Sequence, residues 1–143
     1  MADWHTAPFG REHLHGVLQL CEAQGWPSFP SDPDRAARTL TAPGAVTVVA
    51  LQAGDIIGFA FAFVDAGWID GYLSMMAVDM EHRRQGIGRA LVAAVFDAAG
   101  ATRLDLLAEA GAEEFYESLP HREFRGFRIY PTSTLATGAR RKV

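Results

Sequence analysis

The chain has 143 residues, with 13 basic and 17 acidic side chains giving a formal net charge of −4, and it is 49% hydrophobic and 21% charged, the profile of one ordinary globular domain. The single cysteine, Cys21, excludes an internal disulfide, and the longest apolar run, Ile56 to Val64, falls far short of the roughly 18 residues of a membrane span. With no basic-then-apolar leader in Met1-Ala2-Asp3-Trp4-His5 and an acidic balance unsuited to phosphate chains, the expectation is a cytoplasmic protein with neither membrane nor nucleic acid as partner.

In chain order, a short strand at Trp4 to Ala7 is an optional first element. Leu14, Val17, Leu18 and Cys21 recur at helical spacing over residues 10–25, with Gly25 as the stop. Trp26-Pro27-Ser28-Phe29-Pro30 reads as an extended turn, because two prolines interrupt it. Asp32-Pro33 has the form of an N-cap followed by proline at the first helical position, opening a short helix to about Leu40. Val46, Val48, Val49 and Leu51 mark a strand, Ala53-Gly54-Asp55 a hairpin turn, and Ile56 to Val64 a second strand. A third runs from about Ile69 to Val78. Its later half is apolar throughout, which predicts a central position in the sheet. Ile87 to Ala99 is strongly helical and ends at Gly100. Leu104 to Leu107 reads as a buried strand, Glu113 to Leu119 as a short helix halted by Pro120, and Phe124 to Tyr130 as a final strand pair. Residues 1–131 are expected to form a single domain, and Thr132 to Val143 a flexible tail. The class is α+β.

The stretch that carries chemistry is Met75-Met76-Ala77-Val78-Asp79-Met80-Glu81-His82-Arg83-Arg84-Gln85-Gly86-Ile87-Gly88-Arg89. A strand leads through a basic loop to two glycines at the start of a helix. Each glycine inside a helix costs about 1 kcal/mol relative to alanine, so two in the opening turn point to a ligand that must approach the backbone closely. The first turn of a helix offers N–H groups without intrahelical acceptors and the positive end of the helix dipole. Arg83, Arg84 and Arg89 add positive charge within an otherwise acidic chain. A phosphate, and more specifically a pyrophosphate, is the implied ligand. No Gly-Lys-Ser/Thr follows, which excludes a P-loop. A dinucleotide turn would need a third glycine where Leu91 stands.

Arg83-Arg84-Gln85-Gly86-Ile87-Gly88 resembles the acetyl-CoA signature of the GCN5-related N-acetyltransferase (GNAT) superfamily, Arg/Gln-x-x-Gly-x-Gly/Ala. Glu114-Phe115-Tyr116-Glu117-Ser118-Leu119 is similar to the family's Phe-Tyr helix, and the element order matches over nearly the full chain. The resemblance implies a mixed, mostly antiparallel central sheet with helices on both faces, splayed between the third long strand and the next to seat acetyl-CoA.

Residue by residue, it implies that Arg83, Arg84, Gln85, Gly86, Ile87, Gly88 and Arg89 hold the CoA pyrophosphate, and that Met76, Ala77 and Val78 run along the pantetheine arm. One amide among these three would face the acetyl carbonyl. Tyr116 would be the general acid for the departing thiolate, its ordinary pKa near 10 suiting that role. The implied reaction is direct attack of a small-molecule or peptide primary amine on bound acetyl-CoA. Trp26 and Phe29 fall where the family often lines its acceptor pocket, and Asp70, Asp105 and Glu109 are the carboxylates available as a base. The family also allows a homodimer. Two departures stand out: Glu109 where the family often has asparagine, and Pro120-His121 where it often has Gly-Phe. The alternative is a non-catalytic, regulatory acyl-CoA-binding module. The five histidines and Cys21 lack metal-ligand spacing, so no metal is expected.

Overall fold

A computed structural model of the chain describes residues 3–65 and 70–132. These fall into two compact units, divided after Leu106.

The first unit is built on a five-stranded sheet in the order β1-β2-β3-β4-β5, formed by Trp4–Pro8, Ala45–Gln52, Asp55–Val64, Asp70–Val78 and Arg103–Asp105. The first three pairings are antiparallel and the last, β4 with β5, is parallel. The helices are α1 (Leu14–Gln24), α2 (Ser28–Ser31), α3 (Pro33–Leu40) and α4 (Ile87–Ala99), the last connecting β4 to β5. None among the described residues is long and apolar enough to cross a membrane.

Alternation along β3 explains the two layers. Phe59 and Phe61 point to one face, where they bury against Val17, Leu20 and Cys21 of α1 and Leu40 of α3. Thr47, buried on the same side, keeps its hydroxyl satisfied by donating to the Leu40 carbonyl at 2.8 Å. The opposite face carries Gly58, Ala60 and Ala62, and α4 settles on it. A Cβ at Gly58 would come within 3.2 Å of Ile87 and Leu91 of that helix, so the small residue sets how closely α4 approaches.

Most predicted elements form where expected, including α4 with its predicted bounds and the Asp32 cap, whose carboxylate accepts from the Arg35 N–H at 3.2 Å. Three expectations for this unit need correction. Residues 28–31 are not extended but form α2, because Pro30 sits in a first turn, where its missing N–H costs no helical bond. The central strand is β3, with Ile57–Ala62 all buried, whereas β4 lies next to the short edge strand and exposes Tyr72 and Ser74. The predicted buried strand Leu104–Leu107 is instead Arg103–Asp105, with both ends exposed, since it finds a ladder only along Asp70–Tyr72. The expected start of β4 at Ile69 lies outside the described residues, as does the predicted tail beyond residue 132.

The second unit, from Leu107, contains α5 (Glu113–Glu117). Residues 121–131 carry neither helix nor strand, so the predicted pair at Phe124 to Tyr130 does not form. A strand exists only through a partner ladder, which an apolar pattern cannot supply by itself.

Candidate active site

β4 has two different halves. Asp70, Gly71 and Tyr72 pair with β5, and from Leu73 to Val78 that edge carries no ladder among the described residues. A bulge separates the halves: Phe61 opposes Met75 while Ala62 opposes Leu73, leaving Ser74 as the extra residue. β5 itself ends at Asp105, so its ladder with β4 spans three residues only.

Beyond the bulge, backbone groups alternate between the two edges of the strand. The Asp79 N–H donates to the Ile57 carbonyl at 2.8 Å, which assigns Ala77 to the β3 side and turns the N–H and C=O of Met76 and Val78 toward the open edge. The Ala77 side chain is buried in the core and Met75 packs against it, while Met76 and Val78 are half-buried.

The strand continues into a 3-10 turn at Met80–His82 and then the glycine loop. Here Arg84 (φ 66) and Gly86 (φ 83) both adopt the left-handed conformation, on either side of Gln85. A backbone that visits this region twice in close succession can turn its N–H groups toward one point, an arrangement known as an anion nest. At Gly86 glycine adopts this conformation freely, whereas Arg84 does so at about 1–2 kcal/mol. Gly86 is the N-cap of α4, and its carbonyl takes the first helical bond, from Ala90 N–H at 3.0 Å. The N–H groups of Ile87, Gly88 and Arg89 thus have no acceptor within the helix. Arg83, Arg84, Gln85, Gly86 and Arg89 are exposed, Gly88 is half-buried, and Ile87 anchors the loop in the core. Arg83 Nε reaches back to the Val78 carbonyl at 3.3 Å.

Other predicted residues lie elsewhere. Asp70 stands at the opposite end of β4 from this loop, roughly 26 Å away by strand rise, and is ion-paired with Arg103. The Arg103 hydrogen bond holds its carboxyl below the usual range. Trp26 and Phe29 pack partly buried against the core, Phe29 with its ring 6.2 Å from that of Phe61. Phe29 also lines an open groove with Ser28, Asp32, Arg35 and Thr39.

In the second unit, Tyr116 lies half-buried on α5, with its ring 5.0 Å from that of Phe115. Burial pushes its phenol pKa up, and the charge of Glu109 adds to the rise, so the group stays protonated. Among the described residues, no cluster of three His, Cys, Asp or Glu side chains is placed to hold a metal ion.

A constellation that spacing did not reveal joins the loop to the β2–β3 hairpin. His82 Nδ1 lies 2.6 Å from an Asp79 carboxylate oxygen and its Nε2 lies 2.8 Å from Gln52 Oε1. The local signal was Asp and His three residues apart on a turn. Gln52, thirty residues away in sequence, could be found only in three dimensions.

The family model described as an acetyltransferase (GNAT) domain matches residues 43–119, just over half of the chain. No curated protein matches it. Three solved structures illustrate its likeness in fold. Aminoglycoside N-acetyltransferase AAC(6')-Iy in complex with CoA is 21% identical, with a TM-score of 0.73 over 90% of this chain and 93% of that one. The aminoglycoside acetyltransferase meta-AAC0020 from an uncultured soil metagenomic sample, in complex with trehalose, is 20% identical, with a TM-score of 0.72 over 90% and 95%. The ribosomal-protein-alanine N-acetyltransferase of Brucella melitensis biovar Abortus 2308 is 18% identical, with a TM-score of 0.71 over 90% and 99%.

Proposed function

The chain belongs to the GNAT family of acetyl-CoA-dependent N-acetyltransferases, and from that premise we propose that it moves the acetyl group to a primary amine by direct attack within a ternary complex. The observation that carries this reading is the continuity of the open β4 edge, Leu73 to Val78, with the nest at Arg84 and Gly86. An extended amide-bearing arm can pair with the outward N–H and C=O of Met76 and with the N–H of Val78, whose carbonyl already accepts from Arg83 Nε. A pyrophosphate can then take the N–H groups from Arg84 to Arg89, with the Arg83, Arg84 and Arg89 side chains supplying counter-charge.

In the proposed reaction the neutral amine forms the N–C bond at the acetyl carbonyl. An outward amide near Met76 to Val78 stabilises the oxyanion. The C–S bond then breaks, and the thiolate takes its proton from Tyr116, while the nitrogen loses one to solvent or a carboxylate. Burial and the Glu109 charge support the acid role by keeping the phenol protonated. The Asp70 carboxyl is held low by Arg103, which makes it a weak base and better suited to anchoring charge.

Residues 1–131 act in this proposal as a single transferase domain, since the family match runs unbroken from 43 to 119. The acceptor is a small cationic amine or a peptide amine, with Trp26 and Phe29 contributing to its site. The net charge of −4 favours a cation, and aminoglycoside acetyltransferases are among the structural relatives.

Thermal unfolding with acetyl-CoA, CoA and NAD in parallel, joined to thiol release with an amine panel, tests the reading. A ligand at about 100 times its Kd adds ~2.7 kcal/mol, so either CoA species should raise the midpoint by several degrees and NAD should not. No shift at millimolar CoA overturns the proposal. A shift without amine-dependent thiol release favours the non-catalytic acyl-CoA-binding module. Tyr116→Phe should slow turnover about 100-fold with CoA affinity unchanged, and unchanged turnover removes Tyr116 from the chemistry.

A further inference from the structure

The anion nest contains a strained residue that nothing within the loop itself explains. Arg84 is a non-glycine residue at φ 66, exposed and therefore not forced into that conformation by packing of its own side chain. Such a conformation persists only where the surroundings over-determine it. On its C-terminal side the loop is anchored by Ile87, buried against the sheet. On its N-terminal side, Met80 is 74% exposed and cannot serve as an anchor. The fixed point there is His82.

Its backbone N–H donates to the Asp79 carbonyl at 2.9 Å, while its ring spans from the Asp79 carboxylate to Gln52 at the end of β2. Asp79 is itself tied to β3 through Ile57. The imidazole thus fastens the turn to the sheet at two points, two residues before Arg84. A proton on Nδ1 makes the bond to Asp79, and the Gln52 amide can offer its oxygen to a protonated Nε2 or its NH₂ to a bare one.

We propose that His82, held by Asp79 and Gln52, is a positioning residue that keeps the Arg84–Gly86 nest in its anion-binding form before the ligand arrives. The role rests on the assignment of that nest to the CoA pyrophosphate. A loop that occupies its competent form only a tenth of the time weakens apparent affinity about tenfold, and that is the size of effect expected when the bracket is cut.

The test compares the unaltered chain with His82→Ala, Gln52→Ala, Asp79→Ala and Asp79→Asn. Three quantities are read: the Kd for CoA, kcat against KM for acetyl-CoA, and the rate of tryptic cleavage after Arg83 and Arg84 in the ligand-free protein. The three alanine variants should raise Kd and KM about tenfold with kcat at saturation and the unfolding midpoint nearly unchanged, and they should be cut faster in the loop. Asp79→Asn retains an acceptor for the Nδ1 proton and should stay close to the unaltered chain. CoA binding by the unaltered chain with no change in affinity or cleavage in His82→Ala and Gln52→Ala overturns the positioning role while leaving the functional reading standing. Failure of the unaltered chain to bind CoA overturns the functional reading, and the positioning role falls with it.

Discussion

The two compact units put their apolar residues to different uses. In residues 3–106, Val17, Cys21, Val49 and Phe59 are completely withdrawn from solvent, whereas Phe124, Phe127 and Ile129 of the second unit are 72%, 76% and 87% exposed. The division follows the proposed chemistry. Every residue proposed to hold CoA lies in the first unit, and Tyr116 and Glu109 lie in the second. Recognition by backbone N–H groups depends on the positions of main-chain atoms, which only a packed core can hold. The proton donor in that proposal, Tyr116, needs only one side chain kept protonated, and burial and the Glu109 charge both push its pKa up.

The contrast is broken most directly at the centre of the sheet. Phe59 is fully buried between α1 and the neighbouring strands. Phe59→Ala should cost about 3–5 kcal/mol, read as a lower midpoint in urea with the slope retained. A loss below about 1 kcal/mol, the level of an ordinary substitution, would mean that the first unit has no cooperative core and that the distinction between the units is empty.

The same contrast explains what could be read from the sequence. α4 was legible to the residue because its stripe (Ile87, Leu91, Val95) and its glycine stops are local signals. The left-handed turn at Gly86 is legible, since glycine adopts that conformation freely. Arg84, the second left-handed position, carried no such mark, because an arginine there is strained and only the fold reveals it. The run Met75 to Val78 is apolar because both faces of β4 are covered, Met75 and Ala77 on the α1 side and Met76 and Val78 on the side where α4 packs. A one-dimensional pattern does not distinguish this from the middle position that β3 takes. The pair expected at Phe124 to Tyr130 failed for the opposite reason: the pattern was present, but strand formation is a property of two segments. Gln52 could not be connected with His82 by any local rule.

A smaller effect sharpens the comparison through pH. Cys21 lies in the core, and burial raises its thiol pKa from 9.0 to about 11. A group with a raised folded-state pKa gives its full contribution below the unfolded value and loses it as pH climbs through the folded one. Between pH 9 and 11 the unfolded chain releases this proton while the folded chain keeps it, so stability should fall by on the order of 2 kcal/mol across that window. Cys21→Ala should be less stable at pH 7 but lack this part of the alkaline slope. Equal slopes in the two proteins would mean that Cys21 is reached by water. The native thiol should also resist an aromatic disulfide reagent at pH 8 and react on unfolding.

The smallest expected effect belongs to the other unit. Phe127 is 76% exposed in a segment without helix or strand, so Phe127→Ser removes little buried surface. Substitutions of that kind usually stay within about 0.5 kcal/mol. In a domain of this length such a change moves the midpoint by about 2 °C at most, which calorimetry can resolve against the much larger shift of Phe59→Ala. The direction is also informative. Replacing an exposed aromatic ring with a hydroxyl leaves the folded state almost untouched, so any gain should appear as less self-association at high concentration and leave the midpoint unmoved. A loss above about 1.5 kcal/mol would be the size of burying a large side chain. Phe127 would then be covered in the folded protein in solution, and the second unit would have a core of its own where the exposed rings now argue against one.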